Sequence, residues 1–205
     1  MYDACVTADR KPPNPTRRSE RSRQAILTAT ADLLREVGYT RLAVEAIAAR
    51  AGVGKQTIYR WWPDKGAVVL DAYLALVQAD QDLTFPDTGD LEADVRLVLR
   101  STVDSLADPA FDGRYRALLT AIQDDPRLAA ALFDRLLRPW LEATRQRLST
   151  AQRAGQIGDV DLDAAAELLY GAVYYRWLLR TGPLSPQYVD AVVAMTLRAL
   201  NFSYT

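Results

Sequence analysis

The chain has 205 residues, 49% of them apolar and 25% charged, with 25 Lys and Arg against 26 Asp and Glu, a single Cys and no His. Such a composition supports a packed core of one large or two small domains, so the chain as a whole is not a disordered tail. Without histidine there is no Ser-His-Asp or Cys-His nucleophile, no His-ligated zinc and no imidazole acid–base chemistry, and Cys5 alone closes no intrachain disulfide.

An enzyme would therefore lack a nucleophile, base and metal set, and none is expected here; nor is any metal or cofactor. The apolar cluster at residues 4–6 is far too short for a signal peptide, and no run of about 18 apolar residues occurs, so a cytoplasmic protein without a membrane partner is expected. Charge is uneven along the chain. Residues 1–66 hold 12 basic and 7 acidic side chains, whereas residues 67–205 hold 13 Arg against 19 acids. This asymmetry suggests a basic module that meets a polyanion, joined to an acidic one that does not.

Residues 1–18, with Pro12, Pro13 and Pro15 among charged and small residues, read as a disordered basic arm. Apolar residues then recur at helical spacing. Ile26, Ala29, Leu33, Leu34 and Val37 form one stripe from Ser19 onward, and Gly38 is the stop. A short helix over 44–50 follows, then a tight turn at Gly52 and Gly54, then a third helix over 55–61 ended by Pro63. Asp64 can cap a fourth helix through Leu83. Further helices fit 91–107, 114–123, 126–154, 163–180 and 186–201; Pro139 should kink or split the long one, and Ser185 with Pro186 marks the start of the last. No alternating strand pattern is present, so the fold class is all-α.

Two short helices joined by a four-residue glycine turn have the geometry of a helix-turn-helix. Ile47, Ala48, Ala51, Val53 and Ile58 point between the two, which an ordinary αα-hairpin would also show. The polar face is more specific. Lys55, Gln56, Thr57, Tyr59 and Arg60 cover the outward side of the third helix with donors and an aromatic, suited to the major groove of double-stranded DNA. Arg21 and Arg23 in the first turn of the first helix, and Lys65 beside the free amides of 64–67, are candidate phosphate anchors. Arg17 and Arg18 in the arm would add salt-dependent affinity without choosing a sequence.

The stretch GYTRLAVEAIAARAGVGKQTIYRWWPDKGAVVLDAY resembles the DNA-binding half of the TetR family of one-component transcriptional regulators, over about residues 22–73. The resemblance implies a dimeric repressor whose C-terminal domain binds a small molecule and thereby releases its operator. By position it assigns base and backbone contacts to Lys55, Gln56, Thr57 and Tyr59, phosphate contacts to Tyr59 and Lys65, and a wedge role to Trp62. Ala43 departs from it, standing where the family usually has a capping Thr that touches phosphate; that contact is lost unless Thr40 substitutes. Glu45 would meet the groove only by accepting from a cytosine amino group. These two residues keep open an alternative, a helical protein-interaction adaptor whose helix-turn-helix is degenerate.

The expected organisation is thus a helix-turn-helix domain over 19–66 and a ligand-binding and dimerisation domain over 67–205. The helices near 163–180 and 186–201 are apolar on nearly all sides, which argues for a homodimer through a four-helix interface built on Leu169, Val173, Val189, Val193, Leu197 and Leu200. Phe111, Tyr115, Leu119, Phe133, Trp140, Tyr174 and Trp177 could line a pocket for an apolar or aromatic effector, although each also reads as plain core. Arg135, Arg138, Arg145, Arg147 and Arg153, interspersed with acids, read as a solvated face.

Overall fold

A computed structural model describes residues 15–80 and 85–201, with side chains over 19–77 and 85–201. Among the described residues there are ten α-helices and one π-helical turn, and no strand. Helix α1 spans Pro15–Arg41, α2 Val44–Ala51 and α3 Lys55–Tyr59. Helix α4 spans Lys65–Asp80, α5 Leu91–Ala107, α6 Pro109–Asp124 and α7 Pro126–Leu132. The π turn Phe133–Leu137 leads into α8, Arg138–Arg153, followed by α9, Leu162–Leu179, and α10, Pro186–Leu200.

Local chemistry sets most of these starts. The carboxylates of Asp90, Asp108, Asp125 and Asp161 each accept a backbone N–H from the first turn of α5, α6, α7 and α9, and the Ser185 hydroxyl does the same for α10. Helix α6 begins five residues ahead of the expected start at 114, because Asp108 caps it and Pro109 occupies its first turn. The long helix expected over 126–154 is split, as Pro139 requires. The Arg138 N–H reaches back five residues to the Phe133 carbonyl, which widens the turn just ahead of the proline.

Helix α1 starts at Pro15, four residues before the expected Ser19, so residues 15–18 belong to it and the rest of the proposed arm lies outside the described residues. Gly38 breaks α1 at φ 73°, a conformation open to glycine at little cost, and the chain turns once more before α2. The expected boundary at residues 66/67 falls inside α4, a single continuous helix. Helix α1 packs on α2, α4 and α6, α4 packs on α6 and α7, and α10 lies against α5 and α9. One hydrophobic cluster runs through all of them, from Ile26 and Ile47 to Val193 and Leu200. Among the described residues no helix is long and apolar enough to cross a membrane.

Candidate nucleic-acid interface and ligand cleft

Helix α3 owes its position to its apolar side. Ile58 is 1% exposed and packs with Ile47 and Ala48 of α2, while Val53 and Ala51 are half-buried at the turn. Gly52 closes α2 in the left-handed conformation (φ 66°, ψ 34°), the bend that brings the two helices together. Trp62 is buried beneath them and donates its indole N–H to Asp71 at 2.8 Å. What remains outside is Lys55, Gln56, Tyr59 and Arg60, all exposed, with Thr57 half-buried and Trp61 exposed beside them. Tyr59 presents 52% of its surface.

Lys55 is not idle on that face. Its ammonium donates to Glu45 at 2.8 Å, and this hydrogen bond raises the Lys55 pKa and lowers that of Glu45. Both groups are exposed, so the pair is readily exchanged for a phosphate. Glu45→Ala is therefore expected to tighten binding to duplex DNA severalfold at low salt, by freeing Lys55 and removing a repelling charge. A fluorescence-anisotropy titration showing no change would make Glu45 a bystander.

The proposed anchors at helix starts need correction. With α1 beginning at Pro15, Arg21 and Arg23 lie past its first turn, so the dipole argument does not reach them. Arg21 is exposed, whereas Arg23 is held by Glu20 at 3.2 Å and stands 3.9 Å from Asp71. The start of α4 is also occupied: Asp64 accepts the Ala67 N–H at 2.8 Å. Lys65 is half-buried, donating to the Tyr39 carbonyl at 3.0 Å and lying 4.2 Å from the centre of the Tyr39 ring. It ties α4 to the end of α1. Thr40 is exposed and does not replace the missing cap, since Ala43 stands at the N-cap of α2 and no side-chain cap hydrogen bond is made there. The side chains of Arg17 and Arg18 lie outside the described residues.

Between α4, α5, α6, the π turn, α8 and α9 lies an open cleft with about 70 Å³ of internal room, about 540 Å³ when the solvent-filled mouth is counted. Phe111, Tyr115, Trp140 and Tyr174 of the expected lining are there; Tyr73, Val77, Thr102, Ser105, Leu106, Leu136 and Leu137 complete it. Three expected residues are elsewhere. Trp177 is buried behind Tyr115, stacked on it at 5.4 Å and donating to Asp112 at 2.6 Å. Phe133 is exposed under Arg138, and Leu119 packs into the core. Tyr73 and Val77 escaped the sequence reading because α4 looked uniformly apolar, leaving no sign of which side faced a cavity. Burial pushes the phenols of Tyr73, Tyr115 and Tyr174 well above the usual tyrosine range, so all three are neutral hydroxyls at pH 7. The Tyr115 and Tyr174 hydroxyls stand 3.3 Å apart.

Comparison with known proteins agrees with this geometry at both ends of the chain. Residues 26–72 match the family model of bacterial regulatory proteins of the tetR family, and residues 85–196 match the tetracyclin repressor-like C-terminal domain. The chain belongs to the TetR family. It is 33% identical over 178 residues to an uncharacterised HTH-type transcriptional regulator, YdeS, of Bacillus subtilis, covering 86% of this chain and 88% of that one. It is 29% identical over 187 residues to the DNA-binding transcriptional repressor TetR of Mycobacteroides abscessus, covering 89% and 95%. A solved structure of a TetR family transcription regulator, SCO0332, superposes with a TM-score of 0.68 at 35% identity, covering 87% of this chain and 97% of that chain. TetR-family proteins are helix-turn-helix transcription regulators, and this chain is one of them.

The outer face of this TetR-family chain differs from the expected dimer contacts. Leu169, Val173, Val189, Val193 and Leu200 are buried within the single chain, and Leu197 is half-buried. They form the inner sides of α9 and α10. The exposed side of α9 carries Ala164, Leu168, Gly171, Tyr175 and Leu178, spaced by four and three, and α10 adds Ala191 and Met195. Met195 is 69% exposed and Tyr175 61%. A helix that is apolar all round has two sides to bury, and one chain covers only one of them.

Proposed function

We propose that this TetR-family chain is a ligand-responsive repressor that binds a near-palindromic operator as a homodimer and is released by a small apolar or aromatic effector seated in the cleft. The observation that carries the reading is the exposure of Lys55, Gln56, Tyr59 and Arg60 on a helix whose opposite side is locked into the core through Ile58. Such a helix can enter a major groove without rearranging. The exposed stripe on α9 and α10 supports pairing of two chains, and a two-fold axis would place the recognition helices about 34–36 Å apart for successive grooves. The name of the Mycobacteroides abscessus relative supports the repressor role.

The decisive experiment is selection of bound genomic fragments, followed by titration of the recovered operator at two salt concentrations. A regulator loses affinity steeply as salt rises, because bound phosphates release counterions. Affinity that is absent at both salts would favour the adaptor reading, which Ala43 and Glu45 motivate. On the recovered operator, Tyr59→Ala should weaken binding by about 1–3 kcal/mol with an unchanged melting temperature. Loss of folding instead would mean that the ring is structural.

A further inference from the structure

The Asp71 carboxylate, on α4, gathers partners from three parts of the chain. Its Oδ2 accepts the Trp62 indole N–H at 2.8 Å and stands 3.9 Å from Arg23 Nη2 of α1. Its Oδ1 meets Arg135 Nη1 at 2.7 Å. Trp62 is 3% exposed and is bonded through its backbone N–H to the Ile58 carbonyl of α3, so its indole moves with the recognition helix. Arg135 sits in the π turn, whose Leu136 and Leu137 form one wall of the cleft. Tyr73 and Val77, on the same helix as Asp71, form another.

We infer that the Arg135–Asp71–Trp62 chain of contacts is the joint through which the cleft sets the angle of α3, with Arg135 and Asp71 as positioning residues. The inference rests on the reading of the cleft as an effector site. A π turn differs from the α-helix flanking it by one extra residue of winding, and single turns of this kind are frequent at functional sites. In the inferred joint it is the π turn that changes its winding, while α4 and α5 keep theirs. An occupant pressing on Leu136 and Leu137 displaces Arg135, and Asp71 then loses one of the cations that fix its carboxylate. The plane of that carboxylate aims the Trp62 indole, so the change reaches α3 without any movement of the core between. Coupling of this sort requires that the two sites bias one element with two arrangements, and in the inferred joint that element is the π turn. Arg138 makes the natural control: it pairs with Asp134 of the π turn and covers Phe133, and among the described residues no hydrogen bond or ion pair joins it to α4.

The test uses the full chain and the operator recovered from the genome. Arg135→Gln is expected to weaken operator binding at least fivefold at an unchanged melting temperature, while Arg138→Gln stays within twofold of the parent. In a Trp62→Phe background, which removes the indole donor, Arg135→Gln should change affinity by less than twofold. A purely structural role for Arg135 would persist in that background and would overturn the joint, as would an Arg135→Gln protein with parental affinity. Independently of DNA, the Trp62 indole proton resonance, assigned by its loss in Trp62→Phe, should shift in Arg135→Gln; an unmoved resonance counts against the joint. Thr102→Phe fills the cleft and stands in for an occupant, so it should weaken operator binding in the parent at least fivefold and in Arg135→Gln by less than twofold. If Thr102→Phe acts equally in both, the joint is wrong and the effector reading survives. If Arg135→Gln acts through Trp62 but Thr102→Phe does nothing, Arg135 positions α3 without the cleft, and the joint as inferred is overturned.

Discussion

Arg147→Met is expected to cost about 3–5 kcal/mol of folding stability, the range seen when one partner of a buried ion pair is removed. The side chains of Arg147 and Asp94 are 2% and 1% exposed, and they join α8 to α5 across the C-terminal core. Arg147 Nε donates to Asp94 Oδ2 at 2.8 Å, and Nη2 stands 2.7 Å from the same oxygen. Asp87 approaches Arg147 at 3.3 Å, and Thr88 donates to Asp94 through its N–H and, at 2.7 Å, its hydroxyl. Loss of the guanidinium strands a buried carboxylate and loosens the 85–90 loop with it. For a chain of this length the melting temperature should fall on the order of 10 °C. Replacing both partners with leucine should cost much less than the single change, because no charge is left without a partner. Equal losses in the two would show that packing, not the ion pair, sets the cost.

The same pair gives the acid limb of stability its sign. Burial raises the Asp94 pKa, but hydrogen bonds from Thr88 and Arg147, with the charge of Arg147, outweigh it and hold the carboxyl below the ordinary 3.8. A folded-state value below the unfolded one means that ionised Asp94 contributes stability that is complete above about pH 4 and is lost as pH falls through the lowered value. Asp94→Asn should therefore be less stable than the parent at neutral pH and converge towards it in acid, which chemical denaturation across pH 2–7 would measure.

A pair of substitutions on the exposed stripe, Leu168→Asp with Tyr175→Asp, is expected to give a folded monomer of 22.8 kDa and to lower operator affinity by about 10²–10⁴-fold. Both side chains lie on the outer side of α9, where Leu168 is 49% and Tyr175 61% exposed, so carboxylates there stay solvated in a single chain. In a two-fold pair each would face its own symmetry mate, and four carboxylates would meet in an apolar seam. Bivalent binding to two half-sites is then lost, which accounts for the size of the drop. Leu169→Asp, one residue away, is the contrast: it buries a charge in the chain's own core and should unfold the protein. Analytical ultracentrifugation and circular dichroism separate the two results. A doubly substituted chain that remains a dimer would remove α9 from the interface.

These two α9 neighbours show where sequence reading reached its limit. Helix order, the glycine turn between α2 and α3 and the outward polar face of α3 were all legible, because each follows from contacts among residues a few positions apart. The Asp108–Pro109 start of α6 was equally local and was overlooked, although a capping carboxylate followed by proline is a readable signal. The residues expected at a dimer seam lie inside the single chain for a different reason. In α9 and α10 apolar residues surround the axis, so periodicity carries no phase, and nothing within the helix distinguishes Leu168 from Leu169.

Arg147 reads as solvated, and Asp71 carries no signal, for the same physical reason. Arg147 shares its helix with the exposed Arg145 and Arg153 and looks like one more solvated cation, until Asp94, 53 residues earlier, is folded against it. Asp71 is an acid set among apolar neighbours of α4, unremarkable until Trp62, Arg23 and Arg135 converge on it. Local chemistry along the chain settled which segments are helical and which surface could meet DNA, since hydrogen bonding, capping and side-chain periodicity act over one or two turns. Which faces of those helices are hidden, which charges are paired and what walls the cleft arise from packing between distant segments, whose partners no local pattern encodes.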